Sequence, residues 1–253
     1  MSISIEISAQ GQTSNGQKTS TIMNPASVNK NGKIGSNKVL NKFGAEITLT
    51  AFTCGNVLII SHRPSQGIAP VSKTVSYGTV TSNLSGASKC WITQNLGSDK
   101  QATSATDATD ASAGWYWQFN RKNGYSNITA TTSPVWTIAS ISENSAWLAA
   151  NDPCTLELGA GWRIPTRTEW SNADAFGGWN SYTQTYSSVF KLHASGYLNS
   201  SNGVLTNRGS DGYYWSSTQN NTTTGFALYF KNNSSSVNSY NKAFGYSIRC
   251  IKD

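Results

Sequence analysis

Pro165-Thr-Arg-Thr-Glu-Trp-Ser-Asn-Ala-Asp-Ala-Phe-Gly-Gly178 reads as a helix with both ends written into it. The Thr166 hydroxyl and the Glu169 carboxylate can each satisfy the other's free backbone amide, a capping box. Pro165 just ahead suits that start, and after a helix through about Ala175 the pair Gly177-Gly178 returns the chain to short strands. Outward from this stretch one further helix is expected, over Ser142–Ala150, with a capping Ser, Trp147 and Leu148 for a core face, and Asp152-Pro153 as its stop. The other patterned segments are short and strand-like: Val75–Val80, Cys90–Leu96, Lys191–Leu198, Gly203–Leu205, Tyr213–Ser216, Phe226–Phe230 and Tyr246–Ile251. Ser98–Ser112 carries only short side chains and reads as loop. Two short helices framed by many short strands make an α+β domain, since a βαβ chain would alternate the two regularly.

Upstream, residues 1 to about 43 are polar and punctuated by Gly, Asn and Ser, with one alternating run at Ile3-Ser-Ile-Glu-Ile-Ser8. Alternation is clear at Ala45, Ile47, Leu49 and Ala51, and Asn56–Ile60 reads as a more buried strand. The expected division is a β-rich N-terminal segment or mounting domain over 1–72 and a main domain over 73–253.

At 253 residues with nine Trp, eleven Tyr and eight Phe, the chain can bury a real core. Only 12% of residues are charged, so its surface relies on neutral hydrogen-bonding groups. The net charge of +7 gathers in a Gly/Asn-rich leader at Lys30, Lys33, Lys38 and Lys42, with no interleaved aromatics, which argues against nucleic acid as a partner. No apolar run is long enough to span a bilayer. Met1-Ser-Ile-Ser-Ile-Glu6 lacks the positive start and apolar core of a secretory signal, leaving a trimmed leader or export within a virus particle as alternatives.

Cys54, Cys90, Cys154 and Cys250 are too widely spaced for a Cys-x-x-Cys metal or redox motif, and no metal or other cofactor is expected. They allow three pairings; two disulfides in an oxidising compartment and four buried thiols both fit. His62 and His193 are the only histidines, and no strand-turn nucleophile motif accompanies them, so no catalytic residue is assigned. The last distinctive stretch is Ser216–Lys242, in which sixteen of twenty-seven residues are Asn, Ser or Thr and none is acidic. Phe226, Leu228 and Phe230 set a strand inside it, expected to bury those three and to turn Ala227 and Tyr229 outward.

Several blocks occur together and in order: Thr74-Val-Ser-Tyr-Gly-Thr-Val80, Cys90-Trp-Ile-Thr-Gln-Asn-Leu-Gly97, Gly114-Trp-Tyr-Trp-Gln-Phe-Asn-Arg-Lys-Asn-Gly124, Asn151-Asp-Pro-Cys154, Gly161-Trp-Arg-Ile-Pro-Thr-Arg-Thr-Glu-Trp170, Ala194-Ser-Gly-Tyr197, Gly212-Tyr-Tyr-Trp-Ser-Ser-Thr218 and Ser247-Ile-Arg-Cys-Ile-Lys-Asp253. From about residue 73 to 253 the chain resembles the bacterial family labelled the Fibrobacter succinogenes major paralogous domain. The resemblance implies a C-type lectin-like fold of the formylglycine-generating-enzyme subtype, found in surface-exposed and adhesin-like proteins. The C-terminal stretch further resembles the variable proteins of diversity-generating retroelements, in which adenine-rich codons are rewritten so that Asn drifts to Ser, Thr, Tyr, Asp or Gly.

On that resemblance 213–242 is a candidate variable region, with Trp215, Phe226, Leu228, Phe230 and Phe244 as fixed framework. Its chemistry is that of a paratope: rigid Tyr rings and adaptable, uncharged Asn, Ser and Thr. Tyr213, Tyr214, Asn220, Asn221, Thr222, Thr224, Tyr229, Asn232, Asn233, Asn238 and Tyr240 are the expected ligand contacts. The calcium-binding acidic tripeptide and Trp-Asn-Asp run of sugar-binding relatives are missing, since Trp179-Asn180 is followed by Ser181. A protein ligand is therefore expected ahead of a carbohydrate. The function expected is non-enzymatic ligand binding outside the cell, on a cell surface or virus particle. The alternative is an adhesin or cell-wall module without a diversified site. Arg163 and Glu169 are expected to pair structurally, and Trp115, Tyr116 and Trp117 are adjacent aromatics that one strand should not turn inward together.

Overall fold

Alternation from Ala45 produces the first hairpin: β1 (Lys38–Leu40) and β2 (Glu46–Thr48) pair antiparallel with Val39 opposite Ile47. The computed structural model describes residues 38–40, 46–48, 52–128 and 131–253. The strand expected at Ile3–Ser8 and the basic positions Lys30, Lys33 and Lys42 lie outside these. The chain divides into two compact units, 1–53 and 54–253.

The second unit starts at Cys54, earlier than the boundary expected at residue 73. Cys54 is disulfide-bonded to Cys90, and β3 (Leu58–His62) pairs along its whole length with β4 (Lys73–Tyr77). Strand pairing thus crosses the expected boundary. β3 is also less buried than its apolar run suggested, with Ile59 half exposed, because its two-stranded sheet has one covered face.

Chain order continues through β5 (Thr79–Ser82), β6 (Lys89–Ile92), α1 (Asp110–Ala113), β7 (Tyr116–Trp117), β8 (Gly124–Ile128), β9 (Thr131–Ser133), α2 (Pro153–Leu158) and β10 (Trp162–Arg163). Then follow α3 (Arg167–Gly177), α4 (Tyr182–Ser187), β11 (Tyr197–Leu198), β12 (Leu205–Thr206), β13 (Gly212–Gln219), β14 (Thr224–Lys231), β15 (Ser234–Asn241), β16 (Tyr246–Ser247) and β17 (Ile251–Lys252). Two sheets dominate this α+β unit, one of order β10-β17-β6-β5 and a seven-stranded one of order β15-β14-β13-β16-β7-β8-β9. Within the larger, β13 and β16 run parallel with Tyr214 beside Ser247.

α3 forms as its sequence dictates, with the capping box closed in both directions and Gly178 left-handed at its end. The second expected helix moves. Residues 142–150 are irregular, and the Asp152-Pro153 pair read as a stop instead starts α2. Proline fits a helix's first turn because its missing N–H would have no partner there, and the Asp152 carboxylate accepts from the Cys154 and Thr155 amides. The strand expected over Lys191–Leu198 contracts to β11, and the stretch Ser98–Ser112 read as loop runs at its end into the single helical turn of α1, Asp110–Ala113.

The main core lies between the large sheet and α3. Trp91, Trp170, Trp179, Phe190, Leu192, Tyr214, Leu228, Phe230 and Ile251 pack there. Trp115, Tyr116 and Trp117 are all buried, contrary to expectation, because β7 is an interior strand covered on both faces. Arg163 pairs bidentately with Glu169 and also reaches Asp253, fixing β10 to α3 and to the chain's last residue.

The disulfides choose one of the three pairings, Cys54–Cys90 and Cys154–Cys250, with sequence separations of 36 and 96. On loop-closure entropy these contribute about 4 and about 5 kcal/mol. They suit a secreted or extracellular setting. Among the described residues no helix is long and apolar enough to cross a membrane.

Candidate functional site

Pairing between β13, β14 and β15 decides which side chains share a face. Tyr213 lies opposite Tyr229 and Trp215 opposite Ala227. β14 and β15 continue without a slip from Thr224 opposite Asn241 to Lys231 opposite Ser234. Alternation then sends Tyr214, Leu228, Phe230 and Val237 toward α3, and Tyr213, Trp215, Ala227, Tyr229, Ser236, Asn238 and Tyr240 to the other side.

On that other side the tyrosines form a continuous plate. Tyr213 contacts Tyr229 at 4.8 Å between ring centroids, Tyr240 at 5.5 Å and Tyr197 at 5.1 Å. Beneath them lies Tyr246, buried, stacked under Tyr213 at 4.8 Å and resting on Trp215 at 4.4 Å. Phe244 stacks on Tyr246 and meets Tyr197 edge-on. Tyr197, Tyr213, Tyr229, Tyr240 and Phe244 remain half-buried, so part of each ring faces solvent. The mixture of stacked and edge-to-face contacts is what ring quadrupoles favour. Rings this close leave no room for a cation to sit between them, so the arrangement is a surface to stack on and not a cage.

Three phenols of the plate, Tyr213, Tyr240 and Tyr246, are held in the protonated form. Burial pushes the Tyr213 phenol far up, helped by the Asp211 carboxylate and the Tyr229 ring nearby. Burial lifts Tyr240 to about 12, against a hydrogen bond from Asn238. Tyr246 is raised still more firmly, again by burial. The phenols therefore act as neutral donors and acceptors, beside the exposed amide of Asn238 and the Ser236 hydroxyl that it bonds.

Four expected contacts, Tyr213, Tyr229, Asn238 and Tyr240, thus gather on one face. Tyr214 is a correction: it is fully buried on the opposite side, its hydroxyl donating to the His193 carbonyl and accepting from the His193 amide. Ala227 is also buried where exposure was expected, and Phe226 is only half-buried, with the Arg167 guanidinium 4.0 Å over its ring. Ala227 is covered because the sheet is packed on both faces there, whereas Phe226, near the start of β14, has the Arg167 side chain over its ring and stays partly open.

The remaining expected contacts sit in the turns. Asn220, Asn221 and Thr222 are exposed between β13 and β14, with Thr224 half-buried where β14 starts. Asn221 Oδ1 accepts from the Thr223 and Thr224 amides and Asn220 Nδ2 donates to Thr224 Oγ1, so these side chains build the turn as well as line it. Asn232 and Asn233 are exposed in the β14–β15 turn, at the other end of the hairpin. Tyr197, Phe244 and Tyr246 were missed as parts of the plate, because only the parallel placement of β16 beside β13 brings them under Tyr213.

A loop from outside the 213–242 stretch supports the first turn. The Glu143 amide donates to the Thr222 carbonyl and the Trp147 amide to the Ser217 carbonyl. Lys242 is buried and its ammonium donates to the Glu143 and Ser145 carbonyls and to Gln219 Oε1, while lying 5.0 Å over the Phe119 ring. Loss of hydration lowers its pKa, and the three acceptors keep a cation there tolerable.

Elsewhere, a cleft of about 310 Å³ is bordered by Trp147, Asp152, Trp162, Arg163, Ser217 and Asp253. Burial pushes Asp152 up to about 6, yet its oxygens are occupied by the amides of Cys154, Thr155 and Ile164. His62 bonds Glu157 and Tyr77, and the His193 ring nitrogens are buried without partners; neither histidine hydrogen-bonds a Ser or Thr hydroxyl among the described residues. Among those residues no group of His, Cys, Asp and Glu is arranged to hold a metal ion.

A family model described as a domain of unknown function, DUF8237, matches residues 177–251, the span from the end of α3 into β17 that holds all of β13, β14 and β15. No curated protein matches the chain. No solved structure matches it either.

Proposed function

We propose that the chain is a non-enzymatic ligand-binding protein working outside the cell, on a cell surface or virus particle. In this reading a C-type lectin-like scaffold displays a C-terminal surface that differs between relatives. The observation that carries it is the gathering of Tyr213, Tyr229, Asn238 and Tyr240 on one face, above a buried base of Trp215 and Tyr246. Rigid half-exposed rings lose little side-chain entropy on binding, and neutral amides and hydroxyls adapt to a partner's polar groups. Burial of Trp215, Leu228 and Phe230 leaves the framework independent of what the outward positions carry. A protein surface is the ligand that such a plate suits best, because Tyr dominates the energetic centres of protein interfaces.

The test lies at the gene. A near-copy of the segment encoding residues 213–242, differing only at adenines and placed beside a reverse transcriptase, is expected. Relatives should then differ at Tyr213, Tyr229, Asn238 and Tyr240 while keeping Tyr214, Trp215 and Leu228. Differences spread evenly over buried and outward positions would overturn the reading.

A further inference from the structure

β15 is one margin of the seven-stranded sheet, and it is unguarded. The opposite margin, β9, is three residues long and runs directly into Pro134. β15 is eight residues, Ser-Ser-Ser-Val-Asn-Ser-Tyr-Asn, with no charge, no proline and no glycine, and its ladder with β14 has no bulge. Soluble proteins ordinarily blunt such an edge with one of those devices, because its free backbone groups are a template for another strand.

The phase of the ladder identifies those groups. The Lys242 amide donates to the Thr223 carbonyl directly opposite, which makes that pair a hydrogen-bonded one. Bonded and non-bonded pairs alternate in an antiparallel ladder, so Ser236, Asn238 and Tyr240 bond toward β14 while Ser235, Val237 and Ser239 point their N–H and C=O groups away from it. No hydrogen bond to those outward groups exists among the described residues.

We propose that this margin pairs with β15 of a second copy of the chain, antiparallel about a twofold axis at Val237. In that register Ser235 meets the partner's Ser239, Val237 meets the partner's Val237, and Ser236 meets the partner's Asn238. About six main-chain hydrogen bonds form, using every outward group of the three residues. A second copy fits because the strand is complementary to itself: small hydroxyls face small hydroxyls, valine faces valine, and no charge confronts its like. α3 packs across β14 and β15, and Asp174 holds the Ser235 hydroxyl.

The twofold stands perpendicular to the sheet, so both tyrosine plates emerge on the same side and form one double surface. The main-chain bonds make no use of the Asn238 and Tyr240 side chains, so uncharged replacements there leave the dimer in place. One strand pair covers less than the roughly 1,600 Å² of a standard interface, which makes the association weak and concentration-dependent.

Sedimentation equilibrium of the full chain between about 5 and 500 µM tests this, a range in which dissociation constants from about a micromolar to about a millimolar leave a measurable dimer fraction. A monomer–dimer equilibrium is expected. Val237→Pro and Ser239→Pro each remove one outward N–H while leaving the β14 ladder whole; each should weaken dimerisation at least about tenfold with an unchanged circular dichroism spectrum. Ser239 is exposed, so its variant folds even if the Val237 variant does not. The proposal is overturned by a wild type that stays monomeric throughout, including one that takes up an unrelated extended peptide instead. A dimer indifferent to Ser239→Pro would overturn it equally.

Discussion

The Tyr213 ring lies over the Tyr246 ring with centroids 4.8 Å apart and planes 24° from parallel, although one ring is half open to solvent and the other is buried. The pair joins two roles: Tyr246 is floor and Tyr213 is surface. On the proposed reading, an upper layer that changes between relatives needs a lower layer that does not.

Substitutions in the two layers should therefore separate. Tyr246→Ala is expected to cost about 3–5 kcal/mol, as for other large buried aromatics. Tyr229→Ser, above it, should cost about 1 kcal/mol and Asn238→Ser less than about 0.5. Urea unfolding of the three variants measures this. Equal losses would mean that the upper layer is framework too.

The phenols give an alkaline signature. Tyr240 is raised to about 12 by burial, so the stability it contributes is complete below pH 10 and is lost as pH climbs through its folded value. Tyr213 and Tyr246 shift in the same direction, also by burial. Near-ultraviolet absorbance of the folded chain should show these phenols still protonated at about pH 10.5, where an unfolded chain is mostly ionised. Normal ionisation of every tyrosine in the folded protein would contradict the packed plate.

Acid acts through His193. Burial first, then the Arg249 charge, hold it near 3. Since the folded value is below the unfolded one of about 6.5, His193 contributes its stability above pH 6.5, and that is lost as pH falls toward 3, by up to about 1.4 kcal/mol per unit. Asp152, lifted to about 6 by burial, works the opposite way, its contribution complete below about 3.8 and fading as pH rises. His193→Leu isolates the histidine, whose ring nitrogens have no partner to lose. The variant should be progressively favoured over wild type from pH 6.5 to 4. Parallel stability curves would refute this.

Lys242 positions the β13–β14 turn from below. Lys242→Met keeps the side chain's length but strands the Glu143 and Ser145 carbonyls and Gln219 Oε1, at about 1–3 kcal/mol for an unsatisfied buried group. The loosening should be local. Hydrogen exchange at the Glu143 and Trp147 amides, which hold Thr222 and Ser217, should speed up by more than tenfold, with α3 unchanged.

Much of the architecture was legible in short stretches. The capping box of α3 appears whole in Thr166–Glu169, and alternation located β2, β13 and β14, because both signals are complete within a few residues. Asp152-Pro153 was legible too, but its direction was not: the same pair can end one helix or open the next, and the choice fell to a carboxylate that also ties the Ile164 amide from across the chain. Tyr214 misled because it was grouped with Tyr213, although period two sends neighbours on one strand to opposite faces and leaves only one of them on the plate.

By itself, then, the sequence determined the α+β class, the helix at residue 167, the strands β13 and β14 and the uncharged chemistry of the C-terminal stretch, all consequences of hydrogen bonding and alternation between near neighbours, while β15, a polar run without apolar alternation, was not legible. Tertiary structure alone decided that Cys54 meets Cys90 and Cys154 meets Cys250, that β7 is buried on both faces, and that Tyr197 and Tyr246 join Tyr213 in one plate. Those outcomes depend on strand order and register, which are set by contacts between segments far apart in the chain and leave no mark on the local pattern.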